Sequence, residues 1–320
     1  MTGRSGEAAY LAQLRRFAGD PAARALLDDV AVVTPPAGRA LVLTHDAIAQ
    51  GVHYLAADPP ADVAWKLVAV NLSDLAAKGA VPLGVLTGHC LGDPAWDAAF
   101  AAGLGAALDA FAVPLLGGDT IALPPGSPRV LGLTAIGHAD PAAIPDRRGA
   151  QAGDTLWVTG TIGDAGLGLR LLQAGGACDP VLVARYRRPT PRLAAGQALA
   201  PFAHASADVS DGLLIDGARI AAASGLALTI DLARLPLSPA ARRLDGDDRP
   251  ARLFAATAGD DYELLIAAPA SGAITEIAAR LDLAITAIGQ FHAGSGLALR
   301  DGAEPVPLPR SLGHQHGAAS

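Results

Sequence analysis

Strand-like and helix-like segments alternate along both halves of this 320-residue chain, and this alternation limits the folds that are open to it. In the first half, apolar periodicity predicts a helix at 7–17, a strand at 40–44, helices at 62–78 and 96–111, and strands at 83–87, 113–116 and 130–136. In the second half it predicts a strand at 155–159, a helix after the glycine-rich turn 160–168, a strand at 206–209, a helix that ends near 225, and strands at 226–230 and 262–267. Such alternation is typical of the α/β or α+β class.

A segment rich in proline, glycine and arginine separates the two halves. Residues 139–154 show no apolar period and therefore predict a linker. The length of the chain also suggests two domains of about 150 residues each. We therefore predict an N-terminal domain at 1–147 and a C-terminal domain at 148–320.

Charge and residue usage exclude several classes of protein. The net charge of −7 argues against a general binder of nucleic acid or of anionic membranes. Neither lysine, Lys66 nor Lys78, follows the spacing of a P-loop. The two cysteines, Cys90 and Cys178, form neither a disulfide framework nor a zinc set, which is typical of a reducing cytoplasm. No run predicts a membrane span or a signal peptide, so we expect a cytoplasmic protein.

Aspartates stand where predicted strands end or helices begin, and 27 of the 31 acidic residues are aspartates. A single aspartate in such a place usually caps a helix or a turn. Several together indicate a cation site, because converging anions repel one another unless cations bind between them. The positions are Asp28, Asp29, Asp46, Asp119, Asp208, Asp211, Asp260 and Asp261. By contrast, Asp245, Asp247 and Asp248 lie in an arginine-rich stretch, which predicts a solvated loop.

The predicted helix 62–78 carries a narrow polar stripe. Asn71, Asp74 and Lys78 are spaced i, i+3 and i+7 on an otherwise apolar helix. The stripe is either the solvent face of the helix or part of a site. The apolar residues around it favour a site.

Seven motifs, in their order and spacing, carry a resemblance to a known family. The most distinctive is Asn-Leu-Ser-Asp-Leu-Ala-Ala-Lys-Gly-Ala at 71–80, and the others lie at 28–32, 46–54, 117–120, 149–154, 208–213 and 259–264. From about residue 6 to about residue 269 the chain resembles the thiamine-monophosphate kinase family, in the superfamily of aminoimidazole ribonucleotide synthetase.

The resemblance implies a two-domain fold and a reaction. The N-terminal domain would bind metal and ATP and pair its sheet into a barrel across a homodimer, and the C-terminal α/β domain would complete the active site. The enzyme would phosphorylate thiamine monophosphate (TMP) with ATP and several Mg²⁺ ions, without nucleic acid or membrane as partners.

The resemblance also implies roles for individual residues. The implied Mg²⁺ ligands are Asp29, Thr44, Asp46, Asp74, Asp119, Asp208 and Asp211. Among them Asp46, Asp74, Asp119 and Asp211 would be catalytic. The implied ATP contacts are Gly118, Asp119, Arg147 and Ser210, and the implied TMP contacts are His53 and Asp260.

This sequence departs from the family pattern at a few positions. Leu27 replaces a common glycine, Asp260 replaces a common glutamate, and the C-terminal aromatic residue that covers the substrate ring has no clear match. The nearest stretch is 313–316, where His314 is a weak stand-in. His45 replaces a hydroxyl residue. Because Mg²⁺ prefers oxygen, we expect His45 not to bind it directly. Its ring would contact a phosphate oxygen or pack beside Asp46.

The chemistry suits an aspartate-rich, lysine-poor site. The acceptor would be a phosphate monoester, which is mostly dianionic at pH 7 because its second pKa is about 6, so no strong base is needed. The obstacle is repulsion, about 4 kcal/mol for two unit charges ~4 Å apart at an effective dielectric constant near 20. The residues alone therefore predict metal-assisted phosphoryl transfer, and the thiamine substrate comes only from the resemblance.

Four alternatives remain open. Aminoimidazole ribonucleotide synthetase would carry a Gly-Val-Gly-Thr-Lys motif that this sequence lacks. Selenophosphate synthetase needs a reactive cysteine near the start, and a hydrogenase-maturation relative needs one at the C-terminus. The two cysteines of this sequence, Cys90 and Cys178, match neither position. The chain could also be a MgATP-binding module without catalytic activity.

Overall fold

The computed structural model describes residues 6–124, 126–175 and 179–315, so Cys178 and His316 lie outside the described residues. Two compact units make up the chain. The first comprises the chain up to Leu75 together with Ala80–Pro141, and the second comprises Ala76–Gly79 and the chain from Ala142 onwards. The division after Pro141 falls inside the segment 139–154 that predicts a linker.

The first unit is built on a four-stranded sheet. Its helices and strands are α1 (Gly6–Leu14), β1 (Ala40–Ala49), α2 (Pro60–Ala77), β2 (Val81–Leu91), α3 (Pro94–Phe111), β3 (Leu115–Ala122) and β4 (Val130–Ala139). The strand order is β1-β4-β2-β3, with β2 and β3 parallel and the other two pairings antiparallel. The segments 40–44, 83–87 and 130–136, each predicted as a strand, all lie in this sheet.

The two faces of this sheet differ. Alternate residues of β4, Leu131, Leu133 and Ala135, are fully buried. On the opposite face of β1, Leu41 and Leu43 are 46% and 61% exposed. Because side chains alternate along a strand, one face of the sheet is covered and the other is apolar but open in the single chain.

The second unit is built on a seven-stranded sheet. Its elements are β5 (Thr155–Thr159), α4 (Asp164–Ala174), α5 (Pro180–Arg187), α6 (Leu193–Leu199), β6 (Ala205–Asp208), α7 (Leu213–Ala223), β7 (Leu226–Asp231), α8 (Pro239–Asp245), α9 (Arg249–Ala258), β8 (Leu264–Ala268), α10 (Gly272–Leu281), β9 (Ile285–Ala293), β10 (Gly296–Asp301) and β11 (Glu304–Val306). The strand order is β11-β10-β7-β9-β5-β8-β6, and only β10 and β7 pair in parallel. Both units mix helices with sheet, as the α/β or α+β prediction requires.

Two expectations about local structure need correction. Strand β3 does not end before 117–120 but continues through them to Ala122. Of the three aspartates predicted to lie in a solvated loop, Asp245 instead ends α8. Asp247 and Asp248 do lie in the loop between α8 and α9, where Asp247 pairs with Arg252 at 2.9 Å and Asp248 caps α9 through the Ala251 amide.

None of the described helices is both long enough and apolar enough to span a membrane.

Candidate active site

The predicted ligands Thr44 and Asp74 meet where the edge strand β1 lies against helix α2. Thr44 Oγ1 donates a short hydrogen bond to Asp74 Oδ2. Asp46 follows two residues after Thr44, so both side chains leave the same face of β1. The fold thus brings a hydroxyl and a carboxylate from separate elements into contact and puts Asp46 on the same face of the strand.

Asn71 fixes the backbone of Asp46. It is fully buried, its Oδ1 accepts a 2.8 Å hydrogen bond from the Asp46 amide, and its Nδ2 donates to Leu67 O at 3.0 Å and, more weakly, to Asp46 O at 3.5 Å. Strand β1 is an edge strand, so the outer backbone groups of Asp46 have no neighbouring strand to bond to. The amide of Asn71 satisfies them instead, so this member of the polar stripe supports strand β1.

A second group of predicted residues lines one cavity of the first unit. Asp29, Gly118 and Asp119 share a cavity of about 900 Å³ with His45. A Cβ at position 118 would lie 2.0 Å from Thr87 O, so only glycine fits beside β2 at this point. The neighbouring Asp119 is exposed.

His45 lies on the other face of β1 from Thr44 and Asp46. Its Nδ1 is 2.9 Å from Thr134 Oγ1 on β4. The alternative that His45 packs beside the Asp46 side chain is therefore wrong, because adjacent strand residues point in opposite directions. A contact of the ring with a phosphate oxygen stays a prediction, since His45 lines the same cavity as Gly118 and Asp119.

His53 follows β1 and is held by two hydrogen bonds. Its Nδ1 accepts from the Ala49 amide at 3.0 Å, and the buried Lys66 Nζ donates to its carbonyl at 2.9 Å. A ring nitrogen that accepts an amide proton carries no proton itself, so the neutral ring has its proton on Nε2. These hydrogen bonds fix the imidazole against the end of β1.

In the second unit, the loop 210–212 is held by Asp216. Asp216 Oδ2 accepts the backbone amides of Ser210, Asp211 and Gly212 at 3.1, 3.0 and 3.1 Å. Burial, and to a smaller extent the charge of Asp211, raises the pKa of Asp216. Arg219 offsets this repulsion by donating to both carboxylates. Asp216 is a supporting residue that sequence reasoning missed, although an acidic residue in the first turn of α7 is a visible signal of a helix N-terminus.

The predicted residue Asp260 lies beside this loop. Its amide donates to Ser210 O at 2.8 Å, and Tyr262 Oη donates to its carboxylate at 3.0 Å. Asp208, at the end of β6, is buried just before the loop. The structure thus brings Asp208, Ser210, Asp211 and Asp260 together within the second unit.

The C-terminal segment reaches the same loop. The His314 amide donates to Asp211 O at 2.8 Å, and a Cβ at position 313 would lie 2.4 Å from that carbonyl oxygen. The His314 side chain is exposed, so its role as a cover for the substrate ring stays a prediction.

Two basic residues of the sequence analysis lie elsewhere in the second unit. Lys78 Nζ donates to the carbonyls of Pro145 and Ser206 at 3.1 and 2.8 Å, so it ties the last turn of α2 to β6. The side chain of Arg147 is exposed, and its carbonyl accepts from Ser224 Oγ at 3.2 Å.

The donor set fits magnesium although no preformed cluster is present. Within residues 6–124, 126–175 and 179–315, no three His, Cys, Asp or Glu side chains are grouped closely enough to hold a metal ion by themselves. The groups that converge at β1 and α2 are nevertheless all oxygen donors, the ligands that Mg²⁺ prefers, and Mg²⁺ usually keeps several waters and uses substrate phosphates as further ligands.

Comparison with known proteins identifies the family. Residues 27–139 match the AIR synthase related protein, N-terminal domain, and residues 151–302 match its C-terminal domain. The thiamine-monophosphate kinase of Caulobacter vibrioides is 43% identical, over 93% of this chain and 87% of its own length. This chain belongs to the thiamine-monophosphate kinase family. The resemblance drawn from the motifs is confirmed.

Solved structures of the thiamine-monophosphate kinase family share this fold. The enzyme from Stenotrophomonas maltophilia K279a has a TM-score of 0.82 at 38% identity, covering 93% of this chain and 96% of its own. AaThiL, in complex with AMPPCP and TMP, has a TM-score of 0.75 at 28% identity, covering 88% of this chain and 89% of its own.

Proposed function

We propose that this chain transfers the γ-phosphoryl group of ATP to the phosphate of TMP, giving thiamine diphosphate and ADP. The observation that carries the proposal is the 43% identity, along 93% of the chain, to the thiamine-monophosphate kinase of Caulobacter vibrioides. The complex of AaThiL with AMPPCP, an analogue of ATP, and TMP supports the same pair of substrates.

The reaction is a direct, in-line displacement. A phosphate oxygen of TMP forms a bond to the γ-phosphorus as the bond from that phosphorus to the β,γ-bridging oxygen breaks, and the bond electrons leave with ADP. The attacking phosphate is mostly dianionic at pH 7, so no side chain has to remove a proton. What the protein supplies is therefore position and charge compensation rather than a base.

The aspartates would hold the magnesium ions. Thr44, Asp46 and Asp74 at β1 and α2, Asp29 and Asp119 in the cavity of the first unit, and Asp208 and Asp211 in the second unit are the proposed ligands. Bound Mg²⁺ would neutralise the charge of the phosphates and thereby lower their repulsion. Asn71 sets the backbone of Asp46, so this ligand is preorganised before any ion binds.

Other residues would bind the substrates. Gly118, Arg147 and Ser210 would contact ATP. His53 would contact TMP. The carboxylate of Asp260 would accept from TMP or lie against its cationic ring.

The open sheet face of the first unit supports a homodimer. Leu41 and Leu43 leave an apolar surface on β1 that a second copy of the same sheet would cover, closing a barrel between two protomers. We also propose a cytoplasmic location, where both ATP and reduced cysteines are found.

A coupled assay tests the function. The purified chain is incubated with ATP, Mg²⁺ and TMP, ADP release is followed, and thiamine diphosphate is identified by chromatography. The expected result is ADP release that requires TMP and is lost in Asp74→Asn but kept in Asp109→Asn, an exposed carboxylate of α3. ADP release independent of TMP would contradict the proposal, and binding of ATP without turnover would indicate a non-catalytic module.

A further inference from the structure

The turn 259–263 of the second unit presents its side chains in two directions. Asp260 and Tyr262 are hydrogen-bonded to each other, at 3.0 Å between Tyr262 Oη and Asp260 Oδ1. The alternate residues, Asp261 and Glu263, are bonded to other partners and are 3% and 0% exposed. The Asp260 and Tyr262 side chains thus contact each other, while those of Asp261 and Glu263 are tied to other segments of the second unit.

Glu263 is held by four donors. Its carboxylate accepts from Arg185 Nη2 at 2.5 Å, from Arg192 Nε at 2.7 Å and also from Arg192 Nη2, and from Thr159 Oγ1 at 2.7 Å. A Cβ at position 160 would lie 2.1 Å from Glu263 Oε1, so the glycine that follows β5 makes room for this carboxylate. The bidentate contact of Arg192 fixes the orientation of the Glu263 carboxylate as well as its position.

Asp261 anchors the middle of the turn. Both of its carboxylate oxygens accept from the Gly163 amide, at 3.0 and 2.9 Å. Burial raises its pKa well above the usual range. A buried carboxylate bonded to backbone is costly to move, because every alternative position leaves a polar group without a partner.

The turn needs such anchors because its backbone is strained. Asp260 has φ +64° and Tyr262 has φ +52°, values that L-residues avoid at a cost of about 1–2 kcal/mol each. The amides of both residues donate into the neighbouring segment, to Ser210 O at 2.8 Å and to Val209 O at 2.9 Å. Strained backbone conformations persist only where several contacts hold them. The strained conformation of this turn sets the position of the Asp260 carboxylate.

We propose that Glu263, through Arg185 and Arg192, and Asp261 are positioning residues that hold the Asp260 carboxylate in place for TMP. The inference rests on the proposed function and deepens it, since it assigns the geometry of the TMP contact to a buried ion network behind the turn. A network that served the core alone would lower stability when broken without a selective effect on one substrate.

The test compares the Michaelis constants of the two substrates. Arg192→Lys keeps the charge but removes the planar fork, and Glu263→Gln keeps the shape but removes the charge. Misplacement of a binding group by a mutation behind it can cost up to ~100-fold, so we expect the KM for TMP to rise roughly tenfold or more in both variants. The KM for ATP is expected to stay within about twofold, and Asp260→Asn should shift the KM for TMP in the same direction.

Asp245→Asn is the matched control. It breaks the Arg170–Asp245 ion pair of the same unit, at 2.5 Å, which lies at the end of α8 and not at the turn 259–263, and should leave both constants unchanged. Calorimetry with TMP alone gives the dissociation constant without turnover, and thermal unfolding shows which variants are folded. If Glu263→Gln does not fold, Arg192→Lys decides. Folded variants with an unchanged KM for TMP, or with both constants raised equally, overturn the inference. A wild-type chain that does not phosphorylate TMP overturns the proposed function instead.

Discussion

Asn71→Ala should weaken both the first unit and its proposed metal site. The substitution removes the acceptor of the Asp46 amide, at 2.8 Å, and a donor to Leu67 O, at 3.0 Å, from a fully buried position. An unsatisfied buried group costs about 1–3 kcal/mol, and the space left by the side chain adds to this, so we expect a loss of about 2–4 kcal/mol in the free energy of unfolding. At about 3 °C per kcal/mol for a unit of this size, the unfolding temperature should fall by ~6–12 °C.

The same variant should lose activity, because the Asp46 backbone is no longer fixed. Supporting residues of metal ligands typically contribute 10–100-fold, so kcat/KM for ATP should fall by roughly that factor. Calorimetric unfolding and the ADP-release assay measure the two effects. Gln290→Ala, which removes an exposed amide from β9, is the control and should change neither. An Asn71→Ala variant with wild-type unfolding temperature and wild-type kcat/KM would refute the argument that Asn71 fixes Asp46.

Three further predictions concern the first unit. Asp74→Asn should lower turnover at limiting Mg²⁺ at least roughly a hundredfold without lowering the unfolding temperature, because its amide oxygen still accepts from Thr44 and a negative charge is removed from the site. Burial lowers the pKa of His89 from 6.5 to about 4, so the folded chain favours its neutral form. The free energy of unfolding therefore has its full value above pH 6.5 and decreases by about 3 kcal/mol as the pH falls from 6.5 to 4. Unfolding temperatures measured between pH 7 and pH 4 should show a smaller fall for His89→Gln. Leu43→Glu, on the open sheet face, should convert a dimer into a monomer by light scattering, and a wild-type monomer at micromolar concentration would contradict the dimer itself.

The elements with strong apolar periodicity were predictable from the sequence, and those governed by close backbone contacts were not. Helices α2 and α3 and strands β2 and β4 lie where the periodicity predicts them. The paired glycines at 117–118 indicate a turn, whereas the structure uses Gly118 to let β3 pass within contact of Thr87 on β2. Several unpredicted helices carry a visible signal, since α5, α8 and α9 each begin with an aspartate or serine cap and an early proline.

The site residues were predictable in kind but not in their grouping. Strand-end aspartates suggest carboxylates for cations, and the motifs assign them to a family. Spacing along the chain could not show that Thr44 bonds to Asp74 across 30 residues, or that His45 faces away from Asp46. Nor could spacing show that Asn71, the only asparagine of the sequence, and Lys78 of the same stripe have different roles. The partners of Asn71 belong to the first unit and those of Lys78 to the second.

The last turn of α2 has a consequence for how the chain is synthesised and dissected. Residues 76–79 belong to the second unit, although the rest of the helix and the segment that follows belong to the first. The carbonyl of Ala76 packs against Gly196, and Lys78 bonds to Pro145 and Ser206, so this turn is part of the second unit's own structure. During synthesis this turn leaves the ribosome long before Pro145, Gly196 and Ser206, the residues it contacts in the folded chain. A fragment that begins at residue 142 would therefore lack a piece of its own core, and a single protease cut after residue 141 cannot release the second unit whole.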